Sequence, residues 1–543
     1  MTRPMRSALY CSIAFVAAGA MSACAPVTPA SESDGLGVRH AYWRAEDRVL
    51  VSDFSSVSAV ASDRRFVYAA TEHGVAIFDH RAQRWTAPLT VEDGFPRADL
   101  PIALEVDEFT GLLWMITRTG ALWSYDVSLG DEWRWVGVVP GAPPARLIPY
   151  EGALWIRTNS GWFESSAGGG TPGRGSPPPE VQAADLSGLE RLERESAAFR
   201  SSGSSLTIDE WLRRFEITSA TPSSDPSRWW LGTWGGGVYA YDDRMLDAQR
   251  LTFGTVGRGV SALAPALGDG GVWFGSDGLG GCRGVTHVGP ELQRWTWFEA
   301  GRAGGAPSGP VYALLETTMG TFAAAQDGLY RLIGDRWDRL TDTDDLPATA
   351  VRSLAWAEGA VWAGTDRGLA RILAGSEPGS YAVTRIDGTS GTRISALAQV
   401  DSILWIGSDR GLWRLNLSTG ALAQPPLDDS RLRGRIVGLA YDAPRLYALT
   451  ETTLFVNDGS TWTAPPVTAA LAGVGRPTHL AARRGIVWIA GNSGALGFDA
   501  GTGAETLLSV PRDIPEGPVR QILPTDEGVW FATPGGALLV RFE

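Results

Sequence analysis

The chain has 543 residues, 44% hydrophobic and 20% charged, enough to bury a core in more than one domain. Its formal charge of −13 argues against nucleic acid or an anionic membrane surface as an electrostatic partner. All 47 basic residues are arginine, so Schiff-base lysine chemistry and a phosphate-loop lysine are excluded.

Arg3 and Arg6 precede a short apolar run from Ala8 to Ala20, too short to persist as a membrane-spanning helix. Residues 1–23 therefore read as a signal peptide. Met21-Ser22-Ala23-Cys24 resembles the lipobox of bacterial lipoproteins, which implies that Cys24 is lipidated and opens the mature chain. Ordinary signal-peptide cleavage is the alternative. By the same resemblance, Ala25 in second place implies sorting to the outer membrane. Residues 24–41, rich in Pro, Ser, Gly and Asp, read as a flexible tether. Cys282 is the one further mature cysteine; it can form no internal disulfide or zinc cluster and reads as an inert thiol.

From residue 42 onward one phrase recurs. Trp405-Ile-Gly-Ser-Asp-Arg-Gly-Leu-Trp-Arg-Leu is the clearest copy. Its aromatic anchor reappears as Tyr68, Trp114, Trp155, Trp230, Trp273, Phe322, Trp362, Tyr447, Trp488 and Trp530. Most spacings fall near the 40–45 residues of a β-propeller blade. Six residues after the anchor stands glycine in nine copies, for example Gly328, Gly368 and Gly411, as a tight hairpin between two strands requires. The copies at Trp273 and Tyr447 carry Leu279 and Thr453 there instead. A lead-in strand such as Val351-Arg-Ser-Leu-Ala precedes the anchor. An outer strand often carries Arg-Trp, as at Arg84-Trp85, Arg294-Trp295 and Arg336-Trp337. The expected fold is all-β: a propeller of about eleven four-stranded repeats, over 42–164 and 226–543. Eleven exceeds the usual four to eight blades. The blades must form two propellers, such as five and six, or one large ring, unless a twelfth is disguised. The last copy lacks an outer strand, and Arg48-Val-Leu-Val-Ser-Asp53 is expected to supply it.

The exceptional spacing, 75 residues between Trp155 and Trp230, holds an insertion at 165–225. It opens Gly/Pro/Ser-rich. Residues 180–199 then read as helix, with Leu186, Leu189 and Leu192 along one side. Thr207-Ile-Asp-Glu210 reads as a capping box, and Ile208, Trp211, Leu212 and Phe215 as one face of a second helix. That face is expected to pack on the propeller side or to serve as a docking helix.

The string Thr341-Asp-Thr-Asp-Asp-Leu-Pro347, a Val351-led strand and the Trp362 phrase together resemble the two-component regulator propeller repeat family. The resemblance implies an extracytoplasmic bacterial sensor propeller. No kinase domain follows, so signalling through a catalytic domain of its own is not expected.

Catalytic chemistry is not legible. The five histidines have no metal spacing, and no cofactor is expected. The hairpin-tip residues Asp277, Asp366 and Asp409 read as turn closers, with calcium the alternative. Trp234 stands at a tip where most copies are polar, and reads as a stacking platform or as a ring folded over the insertion. Arg367 and Arg410, beside Asp366 and Asp409, occupy the same place in neighbouring copies; they could hold an anion or pair with those aspartates. The reading that follows is a noncatalytic envelope lipoprotein. It would bind a protein, small ligand or glycan through a propeller face, touch membrane only by its lipid, and bind no nucleic acid. Alternatives are a propeller lyase or hydrolase, or a scaffold. Asn416-Leu-Ser-Thr-Gly-Ala is similar to a turn of the propeller lipoprotein of outer-membrane barrel assembly.

Overall fold

A computed structural model describes residues 39–40 and 48–541, apart from 131, 167–169, 210, 281–282, 302–304, 376–379 and 427–428. The signal peptide, Cys24, most of the tether and Cys282 lie outside the described residues. Eleven antiparallel sheets follow one another along the chain, each of four strands save for one parallel addition, Arg39–His40, at the edge of the tenth.

Each repeat is one sheet. The anchor strand is second, and its aromatic is buried in ten copies; Trp405 is only partly buried. The hairpin glycine then starts or immediately precedes the third strand. At Gly536 φ is +131°, and a Cβ would lie 2.1 Å from the carbonyl oxygen of Val51, so both backbone and space demand glycine. The copy at Trp273 has a longer hairpin, and Gly284, at φ +147°, takes the same role further on.

The innermost strand carries a second repeated device. In eight of the eleven sheets its second or third residue is a bulge: Ile102, Thr218, Ser261, Tyr312, Arg352, Ser395, Val437 and Thr478. A bulged residue is left unpaired within its own ladder and can be aimed elsewhere. Four of these hydroxyls reach a neighbouring blade. Thr218 Oγ1 donates to the Val57 carbonyl at 2.7 Å and Ser261 Oγ to that of Val311 at 2.6 Å. Ser395 Oγ donates to Ile436 and Thr478 Oγ1 to Val519, both at 2.5 Å. The blades are thus latched around the channel as well as packed.

The inner strands divide the sheets four and seven, not five and six. Those of the fifth to eleventh sheets touch in sequence, and the eleventh returns to the fifth, closing a seven-bladed ring. Its last blade is completed by the N-terminal strand Arg48–Val51, which pairs with Gly536–Val540. The expected closure is therefore present. The first four sheets form the other ring, in the spatial order fourth, first, second, third.

Between the third and fourth sheets stands the insertion. Three short helices, α1 (Pro179–Ala183), α2 (Gly188–Glu195) and α3 (Ala197–Ser202), replace the single long helix expected from the leucine spacing. Ser187 starts α2 with a capping box, accepting from the Glu190 N–H while Glu190 accepts from its own. Helix α2 lies on the inner strand of the fourth sheet, Glu216–Pro222. A Cβ on Gly188 would sit 1.6 Å from the Ala220 carbonyl oxygen, so only glycine permits this approach. Leu192 and Phe199 are buried there against Trp229 and Tyr241. From the other side Arg146 of the third sheet reaches Asp185 and Glu190, each at 2.9 Å.

Two crossings join the rings, residues 52–58 and 252–259, and they run side by side. Asp53 bridges Gly254, and the Thr255 N–H donates to the Ser52 carbonyl at 3.0 Å. Around them an aromatic seam draws on both rings. Trp85 stacks on Phe253 at 4.5 Å, and Phe253 meets the edge of Trp295 at 5.1 Å. Two of the Arg-Trp outer strands thus supply the joint.

Truncating a buried anchor removes a large aromatic from between blades. Trp362→Ala is expected to cost about 3–5 kcal/mol in urea unfolding, while Trp405→Ala, at the partly buried anchor, costs less. Equal losses would contradict the packing described.

Candidate functional site

The sequence-designated residues fall on two rings. Trp234 ends an anchor strand of the four-bladed ring, whereas Arg367 and Arg410 lie on the seventh and eighth sheets, in the seven-bladed ring. They do not share one circle of hairpins.

Asp366 is held within the protein. Arg352, the bulge residue of its own blade, donates to both carboxylate oxygens at 2.9 and 2.8 Å, and Arg393 lies 3.3 Å away. The Arg352 bond and charge hold the Asp366 carboxyl below its usual range. The Arg352 guanidinium also lies 4.1 Å from the ring centre of Tyr312, the bulge residue of the preceding blade. Asp409 accepts from the Arg393 backbone N–H at 3.1 Å. Asp277 is buried, accepts from the Leu279 N–H and lies 3.3 Å from Arg520. Asp277 closes its turn and pairs with Arg520, Asp366 pairs with Arg352 and Arg393, and Asp409 takes a backbone N–H across the hairpin. Among the described residues no group of three His, Cys, Asp or Glu has metal-site geometry. Arg367 and Arg410 are exposed, and their guanidiniums have no ion-pair partner among the described residues.

The segment 207–215 is not the expected helix. Asp209 takes the backbone N–H of Trp211 at 3.0 Å and of Arg213 at 2.8 Å on its carboxylate, while Thr207 and Phe215 bond to each other. An aspartate that captures local N–H groups closes a turn in place of a helix. Glu210 of the expected capping box lies outside the described residues. Phe215 packs against the hairpin glycines beside Trp234; a Cβ on Gly236 would lie 2.7 Å from its ring. Arg213 ties the turn to Glu299 of the other ring. The turn leaves its apolar residues outward: Ile208 is 40% exposed, Trp211 46% and Leu212 86%, beside Trp234 at 50%. Leu212 takes φ +61°, a conformation leucine rarely adopts.

The middle of the four-bladed ring is a cavity of about 1030 Å³. Inner strands of all four sheets and helix α2 wall it. One lining residue is out of pattern. In ten sheets the residue paired across from the anchor is small or uncharged: Ala61, Ile148, Thr221, Ala264, Leu315, Ala355, Ala398, Ala440, Ala481 and Leu523. In the second sheet it is Glu105, opposite Trp114. Burial pushes the Glu105 carboxyl up to about 7, outweighing the Val106 N–H and the charge of Arg191. The signal was present in the sequence, at a fixed offset in the lead-in strand, and only the ladder register makes it visible.

The inner wall of the seven-bladed ring has its own partly buried titratable group. Burial pushes His479 down to about 4, and its Nδ1 accepts from the Ile522 N–H at 3.4 Å.

No family model matches the chain, and no curated protein matches it. Solved structures do. The extracellular domain of the putative hybrid two component system BT4673 from B. thetaiotaomicron is 12% identical, with 89% of this chain covering 70% of that one and a TM-score of 0.43. PorZ, a bacterial surface component of the type-IX secretion system of Porphyromonas gingivalis, is 10% identical, with 89% covering 68% and a TM-score of 0.43. The WD40 domain of Neurospora crassa Pan2 is 11% identical, with 53% covering 90% and a TM-score of 0.40. The propeller assignment itself rests on the eleven sheets and the way they close.

A carboxyl raised from 4.5 to about 7 makes the folded state lose stability across that window, because the unfolded chain releases its proton first. Glu105→Gln is therefore expected to unfold at higher urea than the parent at pH 8, with the difference disappearing near pH 4. Equal midpoints at both pH values would show that Glu105 is not held in this environment.

Proposed function

We propose that the protein is a noncatalytic lipoprotein of the bacterial cell envelope, anchored through Cys24, that binds a protein partner on the hairpin face of its four-bladed ring. The carrying observation is the apolar group at Trp211, Leu212, Ile208 and Trp234. Large apolar side chains left exposed on one segment mark interaction sites, and tryptophan concentrates binding energy there. The group is also held in place. The Asp209 turn fixes its backbone, so little entropy is lost when a partner docks.

The export reading is supported by the lipobox resemblance of Met21 to Cys24 and by the repeat's resemblance to extracytoplasmic sensor propellers. Arg367 and Arg410 form a separate candidate contact, on the other ring, for an anionic group of the same partner or of a small ligand.

The test is co-purification from detergent-solubilised envelopes. Trp211→Ala, Leu212→Ala and Trp234→Ala together should leave the melting temperature nearly unchanged and abolish capture of the partner. Arg367→Ala with Arg410→Ala reports on the second contact alone. Cys24→Ser should move the protein from the membrane to the soluble fraction. Capture that survives the triple variant would place the partner elsewhere, and a membrane-bound Cys24→Ser protein would contradict the anchor.

A further inference from the structure

We infer that the central cavity of the four-bladed ring is a binding site for a small molecule carrying an ammonium group, with the Glu105 carboxylate as the counter-ion. This goes beyond the docking of a partner on the hairpin face, uses different residues, and stands or falls independently of it.

The first argument is register. The position across from the anchor receives the flank of the aromatic ring, and six of the eleven sheets put alanine there. Ten blades pack without a charged residue at this point. The one charged residue in this register faces the open cavity at the centre of its ring, and its partial burial there works against its charge unless a cation joins it.

The second argument is charge matching inside the cavity. From the first sheet, Asp63 accepts from the Arg65 and Phe66 N–H groups and from the Tyr68 hydroxyl. Arg64 pairs with Glu108 at 3.3 Å. From the third sheet, Arg146 is taken by Asp185 and Glu190. On α2, Arg191 pairs with Glu195 at 2.8 Å and lies over the Trp229 ring. Arg194 of α2 also lines the cavity but is exposed to solvent. Among the described residues, the cavity carboxylates Asp63 and Glu105 form no ion pair; Asp63 is held by three hydrogen bonds, whereas Glu105 has only its own strand's Val106 N–H and the more distant charge of Arg191. A cation placed beside it would give Glu105 the close partner that Glu108 and Glu195 already have.

The third argument is size and lining. About 1030 Å³ is far more than one cation needs, and it matches cavities that hold small organic molecules. Hydroxyls of Ser58, Ser62, Thr218 and Ser219 line the same walls. Such a wall suits an ammonium group on a polar body bearing hydroxyls or amides. The pH sense follows: Glu105 is neutral at pH 5 and mostly ionised at pH 8, while an alkyl ammonium is charged at both.

The test is calorimetric titration of the full chain with matched probes: glucamine against sorbitol, and 4-aminobutanamide against butanamide. Each pair shares its body and differs in the ammonium. At least one amine should bind, about tenfold tighter at pH 8 than at pH 5, and its neutral counterpart should not. Glu105→Gln and Glu105→Ala should each weaken it at least tenfold; alanine is the residue the fold itself uses at this place, so that variant remains folded. Binding that does not separate either amine from its neutral counterpart, or that is unchanged in both variants, overturns the inference.

Discussion

A ring of blades needs its last sheet complete, and here one four-residue strand from the other end of the chain completes it. Arg48–Val51 lies against Gly536–Val540, joining residues nearly five hundred positions apart. Pairing that edge satisfies a row of backbone groups that would otherwise recruit another chain. Much else follows from where this strand sits. Having opened in the seven-bladed ring, the chain must leave to build the four-bladed ring and then return. The exit and the return lie side by side at Asp53 and Gly254, and the aromatic seam of Trp85, Phe253 and Trp295 forms around them. The four-bladed ring is therefore an insertion within its neighbour, attached at two adjacent crossings.

That ring carries the unusual features. Its circle is not made of sheets alone, because α2 stands between the third and fourth. A helix cannot repeat the strand ladder that fills the centre of a blade. Gly188 lets it come close to Ala220, but the wall it makes is one of charged side chains, Arg191 and Glu195 among them. The cavity, the partly buried Glu105 and the outward apolar turn at Trp211 all lie in this ring or at its edge. The seven-bladed ring is regular by comparison: hydroxyl latches recur from blade to blade, and Arg352 bridges Tyr312 to Asp366 near a hairpin tip.

The sequence exposed what repeats and hid what occurs once. Eleven anchors and a glycine at fixed offset are one physical demand, a hairpin beside a buried aromatic, met again and again. The N-terminal strand was legible because the last copy lacked an outer strand. The division into four and seven was not, since equal spacing says nothing of which inner strands meet across a channel. At 207–215 the spacing of Ile208, Trp211, Leu212 and Phe215 suits a helix face. The Asp209 side chain competes for the same N–H groups and wins, so the residues turn outward and only Phe215 packs inward. Trp405 illustrates the limit of a motif: the clearest copy in sequence is the least buried anchor. Among the tip residues, Asp366 looked available beside Arg367, but its partners Arg352 and Arg393 come from other strands.

The closure by the N-terminal strand is tested most directly by comparing the melting temperatures of two shortened proteins, one lacking residues 1–47 and one lacking 1–51. The first keeps the strand that pairs with Gly536–Val540; the second loses only four more residues. The account predicts that the protein lacking 1–47 melts close to the parent, while the one lacking 1–51 melts well below it and self-associates through the exposed edge. Equal melting temperatures for the two would contradict it.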